Sequence, residues 1–199
     1  MASLSHISTK NKAKLGIPNS RHLAALGRFV EQCSSLEISL SLVLRRMLKI
    51  NPTLARAIIG IGDPRVTDLI TLIKRVSKIN KPSHSAGIKL QNMLAWANYM
   101  NSVRSVVAHK PMYVKGVVMC FHNANTAKSE EVKFVYRCST HQMNDLSDIG
   151  YRVCVGLHAM PNPLVFPNLD WNRLSIPDVP PDASFLQKQK LPDRPQTQR

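Results

Sequence analysis

The sequence is short of acidic residues. Its 199 residues include 12 Asp and Glu against 27 Lys and Arg, which gives a formal net charge of +15. Most of this excess lies in residues 1 to 160, which hold 22 basic and 8 acidic side chains. A basic folded domain favours a polyanionic partner such as nucleic acid, because phosphates neutralised by Lys and Arg release their counterions. A solvated basic surface that only maintains solubility is the alternative.

Long apolar runs are also missing. No segment approaches the roughly 18 consecutive apolar residues of a membrane span. The N-terminus lacks the apolar core of a secretory signal, although its Ser and Lys content without acids is faintly similar to a transit peptide. We therefore expect no membrane partner and a cytoplasmic location. Basic residues interrupt every long apolar segment: Arg45, Arg46, Lys74, Arg75 and Arg104.

Cysteine is scarce and dispersed. Cys33, Cys120, Cys138 and Cys154 form no C-x-x-C pair, so neither a zinc site nor a disulfide framework is indicated. Cys120 and Cys138 could face each other across a hairpin, but packing as small apolar residues fits them better. The sequence also lacks an internal repeat, a Walker loop, a dinucleotide fingerprint and a nucleophile elbow. We expect no metal and no cofactor.

Hydrophobic periodicity predicts a mainly α fold of about five helices. Asn51 and Pro52 supply a helix start, and Asp63 with Pro64 repeats that signal. Ser139 and Gln142 have the spacing of a capping box before the last helix. In chain order the predicted helices cover about residues 20–50, 52–59, 64–78, 83–109 and 139–159.

After Pro111 the pattern becomes that of β-strands. MYVKGVVMCF and EVKFVYRC are rich in Val, Tyr and Phe, and HNANTAKSE separates them, which predicts a two-stranded hairpin inserted at about 112–138. Residues 1–19 are predicted to be a flexible basic arm. Eight of the 13 prolines follow residue 160, so residues 161–199 cannot form regular helix or a central strand. We expect this tail to be largely disordered and pinned in part by Trp171, Leu174 and Ile176.

The stretch VRSVVAHK places Arg104 and His109 at the end of the predicted fourth helix, with Asn101 one turn earlier on the same side. Arginine offers a permanent charge and a planar fork that matches phosphate oxygens. Histidine can exchange a proton near neutral pH. The spacing alone is weak, since 13 arginines and 7 histidines give roughly 0.5 chance matches. The alternative is structural: Arg104 caps carbonyls or pairs with Glu37, and His109 fills a surface notch.

The order of elements resembles that of the HEPN superfamily over about residues 20 to 160. The resemblance is carried by LGRFVEQCSSLEISLSLVLRRML, NPTLARAII, DPRVTDLITLIKRV and VRSVVAHKP, followed by the hairpin and the closing helix. Members are all-α bundles that are commonly dimeric, and many are metal-independent ribonucleases. Their Arg-x4-6-His motif lies at the end of a late helix, where this chain has Arg104 and His109.

The resemblance implies a mechanism for those two residues. Histidine would act as general acid or base while the RNA 2′-hydroxyl attacks the adjacent phosphate, and arginine would stabilise the charge that gathers there. In dimeric members the motifs of two protomers face one cleft with a basic rim. Asn101, Ser105 and Glu37 would support the pair, with Glu37 orienting Arg104. Active members often have Asn, Asp or His where this chain has Ser105.

Three functions are therefore open. The first is an RNA endonuclease of a toxin or defence system, with RNA, a second copy of the chain and an antitoxin or other protein as partners. The second is a non-catalytic, dimeric nucleic-acid-binding or scaffold protein. The third is an adaptor whose proline-rich tail engages a partner. Phosphate contacts are expected from Lys74, Arg75, Lys78, Lys110 and Lys115.

Overall fold

The computed structural model describes residues 16–51, 53, 54, 57, 65–80, 82–122, 134–160, 176–178 and 187–190. These residues form a mainly helical bundle with a small antiparallel sheet, which agrees with the prediction of a mainly α fold. The helices are α1 Ser20–Leu48, α2 Val66–Asn80, α3 His84–His109 and α4 Thr140–Ala159. The strands are β1 Met112–Lys115, β2 Val118–His122, β3 Phe134–Ser139 and β4 Gln187–Lys190, paired in chain order.

The described residues contain four helices of full length where five were expected. Of the predicted helix at 52–59, only Thr53, Leu54 and Ala57 are described, and all three are helical. The Oδ1 of Asn51 accepts a hydrogen bond from the Leu54 backbone N–H at 2.8 Å, so Asn51 caps this turn as predicted. The remainder of 52–59, and the start signal at Asp63 and Pro64, lie outside the described residues.

Helix α1 begins at a capping box. The Asn19 side chain accepts from the backbone N–H groups of Arg21 and His22, and the His22 ring accepts from the Asn19 N–H. The helix ends at Lys49, whose positive φ of 55° lets its N–H reach the Arg45 and Arg46 carbonyls. Between these ends, α1 buries an apolar stripe in the core: Phe29, Cys33, Leu36, Leu40, Val43 and Leu44.

Three contacts orient the helices. Arg46 on α1 donates to the His158 carbonyl near the end of α4 at 2.7 Å. Asn80, the last residue of α2, donates to the Met47 carbonyl at 3.1 Å. At the opposite end of α1, the Nε2 of His22 donates to the Gly116 carbonyl, just beyond β1, at 3.1 Å. Helices α1 and α4 therefore run in the same direction, and the turn that follows β1 lies near the start of α1.

The sheet corrects the predicted two-stranded hairpin. MYVKGVVMCF forms two strands, β1 and β2, joined by a two-residue turn of Gly116 and Val117. Gly116 has a φ of +61°, and a glycine at the first turn position matches the twist of antiparallel strands. Strand β3 then pairs with β2, so the long predicted loop joins the second and third strands.

The two chain termini contribute to the sheet, which the sequence interpretation missed. Strand β4, in the tail expected to be largely disordered, pairs with the outer side of β3. At the other edge, Gly16 of the predicted flexible arm pairs with Val114 through two backbone hydrogen bonds of 3.0 and 3.2 Å. Ile176 packs against the core as predicted, whereas Trp171 and Leu174 lie outside the described residues.

The four cysteines are free and buried, as expected for small apolar residues. Cys120 lies opposite Arg137 on the neighbouring strand, while Cys138 lies opposite Met119. Because successive side chains alternate between the two faces of a sheet, the two thiols lie on different faces and the suggested facing pair is wrong. Burial raises the pKa of Cys138 to about 12. Within the described part of the chain, no helix is long and apolar enough to cross a membrane.

Candidate functional site

The predicted Arg/His pair lies on the C-terminal half of α3. Four apolar residues of this helix are fully buried, namely Met93, Trp96, Met100 and Val103. Arg104 follows directly, at the edge of the packed face, and its side chain is 36% exposed. Asn101 is partly buried one turn before it, and Ser105 points to solvent.

Arg104 forms an ion pair with Glu37 of α1, through Nη1 and Oε1. The contact between Glu37 and Arg104 is therefore present, and the orienting role of Glu37 stays a prediction. The Glu37 side chain is 39% exposed, and a half-exposed pair contributes at most about 1 kcal/mol to stability. A guanidinium has five N–H donors, and this contact occupies one Nη1 donor. The others can hold a phosphate oxygen.

Apolar packing lies beneath this pair. Cys33, one turn before Glu37 on α1, is 3% exposed. Burial, with a smaller contribution from the Glu37 carboxylate, raises the pKa of the Cys33 thiol to about 12, although the Arg104 charge opposes this shift. Its thiol therefore stays protonated at neutral pH and offers no charge to compete for Arg104.

His109 is exposed in the last turn of α3. The helix stops there because Pro111 disfavours helical geometry at Lys110, which adopts φ −109° and ψ 133° while its N–H still bonds to the Val106 carbonyl. The His109 ring makes no hydrogen bond or ion pair with another described residue. Its ring nitrogens are accessible to a ligand.

The structure brings Arg104 together with Glu37 rather than with His109. Five residues separate the two side chains by about 140° around the helix and roughly 7.5 Å along it. Side chains on a helix also lean toward its N-terminus, so Arg104 leans away from His109. The ion pair with Glu37 holds the Arg104 side chain in this position, away from His109. A shared anion site formed by both groups therefore requires a second copy of the chain or a movement of Arg104.

The five cations predicted to contact phosphate divide between the two ends of the bundle. Lys74, Arg75 and Lys78 are exposed on the second half of α2, which ends beside Met47 at the finish of α1. Lys115 ends β1, next to the turn that contacts His22 at the start of α1, and Lys110 lies before the first residue of that strand. The 25 residues between His22 and Met47 span roughly 38 Å of helix.

A cavity between α1 and α4 was not anticipated from the sequence. Its volume is about 400 Å³, and it lies at the end of the bundle where both helices begin. One feature of the sequence indicates a shared surface here: Arg21, Ala24 and Arg28 have the spacing of residues on one helix face. The residues that line the cavity are Ser20, Arg21, Ala24, Ala25, Arg28 and Asn144.

No family model, curated protein or solved structure matches this chain. Among the residues that the structure describes, no group of three or more His, Cys, Asp and Glu is placed to hold a metal ion. The groups available for chemistry are the Arg104 guanidinium, the His109 imidazole and the cavity arginines.

Proposed function

We propose that the chain is a metal-independent RNA endonuclease of the HEPN type, active as a homodimer and belonging to a toxin or defence system. The observation that carries the proposal is the state of Arg104. Glu37 holds its guanidinium, part of which remains open to solvent, on the helix whose last turn exposes His109. An oriented, always-charged donor and an accessible imidazole on the same helix suit phosphate chemistry.

In this proposal the RNA 2′-hydroxyl attacks its neighbouring phosphorus while His109 accepts the hydroxyl proton. The bond from phosphorus to the leaving 5′ oxygen breaks, and that oxygen takes a proton from solvent water, which leaves a cyclic phosphate and a 5′-hydroxyl end. Arg104 stabilises the charge that gathers on the phosphate oxygens. Because Arg104 leans away from His109 within one chain, the cleft is formed by the α3 ends of two copies.

The test is incubation of the purified protein with RNA in the presence of a chelator. His109→Ala is expected to lose cleavage by a factor of about 100 to 10,000, the range that a general acid or base contributes. His84→Ala is the matched control, since His84 is equally exposed at the other end of α3. Cleavage by His109→Ala at the rate of the His84→Ala control would contradict the proposal.

One observation favours a second candidate, a non-catalytic RNA-binding protein. Arg104 is already paired with Glu37 and makes no contact with His109, so the pair can be purely structural. This candidate predicts salt-dependent RNA binding with no cleavage by the wild-type protein under any metal condition. Measurement of binding and cleavage on the same RNA separates the two functions.

A further inference from the structure

We propose that the outward face of the sheet is a platform for single-stranded RNA, on which the rings of Tyr113 and His122 stack with bases while Lys115 and Arg137 contact the flanking phosphates. The inference rests on RNA as the ligand, which both candidate functions share. It does not depend on cleavage.

The strand register separates the two faces of the sheet. Side chains alternate between the faces along each strand, and directly paired residues share a face. The inward face is the one that contributes to the hydrophobic core, through Val114, Met119, Phe121 and Cys138. The platform residues alternate with these positions. On β1 to β3 the outward face therefore carries Tyr113, Lys115, Val118, Cys120, His122, Val135, Arg137 and Ser139.

Two aromatic rings lie side by side on this face. The ring centroids of Tyr113 and His122 are 5.6 Å apart, their planes are inclined at 51°, and both residues are partly exposed. Cys120 lies between Tyr113 and Arg137 and is 3% exposed, so the longer side chains stand above it. A nucleic-acid base stacks on an aromatic ring whatever its identity, because every base has a π face. The two inclined rings can stack with different bases of one strand.

Both rings are uncharged at neutral pH. Burial, with a smaller contribution from the Cys120 thiol, raises the pKa of Tyr113. Burial also lowers the pKa of His122, so its imidazole is neutral at pH values where a free histidine begins to gain charge. The rings therefore supply apolar stacking surface, and the charge that attracts RNA comes from other residues of this face.

Lys115 and Arg137 supply that charge, and both are exposed. Lys115 is the next residue after Tyr113 on this face of β1, about 7 Å away, and Arg137 lies two strands away, roughly 10 Å from Tyr113. Their long side chains can reach the phosphates on either side of a base stacked on Tyr113. The described residues of this face include no Asp or Glu, and the ion pairs of the described chain involve neither cation. This face is therefore complementary in charge to an RNA backbone.

The platform lies close to the candidate reacting group. Tyr113 follows His109 by four residues, so the two are at most about 14 Å apart. Four stacked nucleotides span a similar length, at about 3.4 Å each. A strand whose bases stack on the platform can thus extend to His109, and the platform would hold the part of the RNA that flanks the reacting phosphate.

The experiment measures binding of two strands by fluorescence anisotropy, a 2′-O-methyl oligouridine of about six nucleotides and an abasic 2′-O-methyl strand of the same length and charge. Their methylated 2′ oxygens cannot attack the phosphate, so both strands stay intact with the wild-type protein. We expect the uridine strand to bind about 5- to 100-fold more tightly than the abasic strand, because only the uridine strand has bases that stack.

Four variants assign this preference to the platform. Tyr113→Leu should remove most of it, whereas Tyr113→Phe keeps the ring and should bind both strands as the wild type does. Tyr151→Leu is the matched control, since Tyr151 is a 61% exposed tyrosine on α4, outside the sheet. Arg137→Gln should weaken both strands equally and reduce the slope of log affinity against log salt by about 0.7. Thermal midpoints check that each variant is folded.

Equal affinity of the wild type for the two strands would overturn the platform and leave only an electrostatic surface. A loss in Tyr113→Phe as large as that in Tyr113→Leu would also overturn it, because the hydroxyl rather than the ring would then matter. If Tyr113→Leu does not fold, the comparison of the two strands with the wild type still decides.

The platform and the nuclease fail separately. A Tyr113-dependent preference for the uridine strand without cleavage of unmodified RNA rejects only the nuclease. Cleavage that depends on His109, together with equal binding of the uridine and abasic strands, rejects only the platform.

Discussion

At the residue scale, the ion pair with Glu37 holds the Arg104 guanidinium against α1. The pair joins α1 and α3 and is half exposed, so its loss should change stability by less than about 1 kcal/mol. Its effect on phosphate chemistry is larger, because an arginine that is free to change rotamer no longer presents its donors in one direction. In the proposed reaction Glu37 is therefore a positioning residue.

We predict that Glu37→Gln lowers kcat for RNA cleavage about 10- to 100-fold, the range seen when a group that orients a reactive side chain is removed. KM should change little, because the neutral amide leaves the Arg104 charge in place. Glu31→Gln is the matched control, since Glu31 is an exposed glutamate on the same helix. Equal kcat values for the two variants would contradict a positioning role for Glu37.

Only part of the candidate site could be predicted from its residue types. The partnership of Arg104 with Glu37 was predictable, because each lies at the edge of an apolar stripe on a long helix. The cavity lined by Arg28 and Asn144 was not predictable. Asn144 and Arg28 are separated by 116 positions, and a cavity between them exists only once α1 and α4 are packed in the same direction.

At the element scale, helix ends were predictable because their causes are local. Ser139 and Gln142 form the expected capping box at the start of α4, and Pro111 ends α3. The turn between β1 and β2 was missed since Val117, an apolar β-branched residue, occupies a turn position usually held by a polar one. Strand β4 was missed because its sequence, QKQK, has no apolar alternation.

Close packing of helices gives a prediction at this scale. Gly150 of α4 faces Met100 of α3 and Gln32 of α1, and a Cβ at this position would lie 2.5 Å from the Met100 Cε and 3.3 Å from the Gln32 Cβ. Met100 is fully buried, so it has little room to move away. Gly150→Ala should therefore destabilise the protein by about 1–3 kcal/mol, the usual result of overpacking a core.

Gly27→Ala is the control for that variant. Gly27 is exposed on α1, and a Cβ there would meet no atom within 4 Å. Alanine is the better helix former, so this change should stabilise the protein by about 0.5–1 kcal/mol. Urea unfolding of both variants measures the difference. If Gly150→Ala is as stable as Gly27→Ala, the three helices are not in close contact at Gly150.

At the scale of the whole molecule, the basic charge is not one continuous patch. Lys115 and the cavity arginines lie toward the end where α1 begins, with Lys110 one four-residue strand away, and Lys74, Arg75 and Lys78 lie toward the finish of α1. The roughly 38 Å between these ends exceeds the reach of a strand of about five nucleotides, which spans about 17 Å at 3.4 Å each. A short RNA can contact one group, whereas a long RNA can contact both.

We therefore predict different effects of two double variants that remove the same charge. Lys110→Gln with Lys115→Gln should weaken binding of a strand of about five nucleotides and reduce the slope of log affinity against log salt by about 1.4, or 0.7 for each lost phosphate contact. Lys74→Gln with Arg75→Gln should leave that slope unchanged, yet weaken binding of a long RNA. The salt dependence measured with both RNA lengths checks this. Equal loss from both variants on the short strand would mean that net charge, rather than the end at which α1 begins, determines where RNA binds.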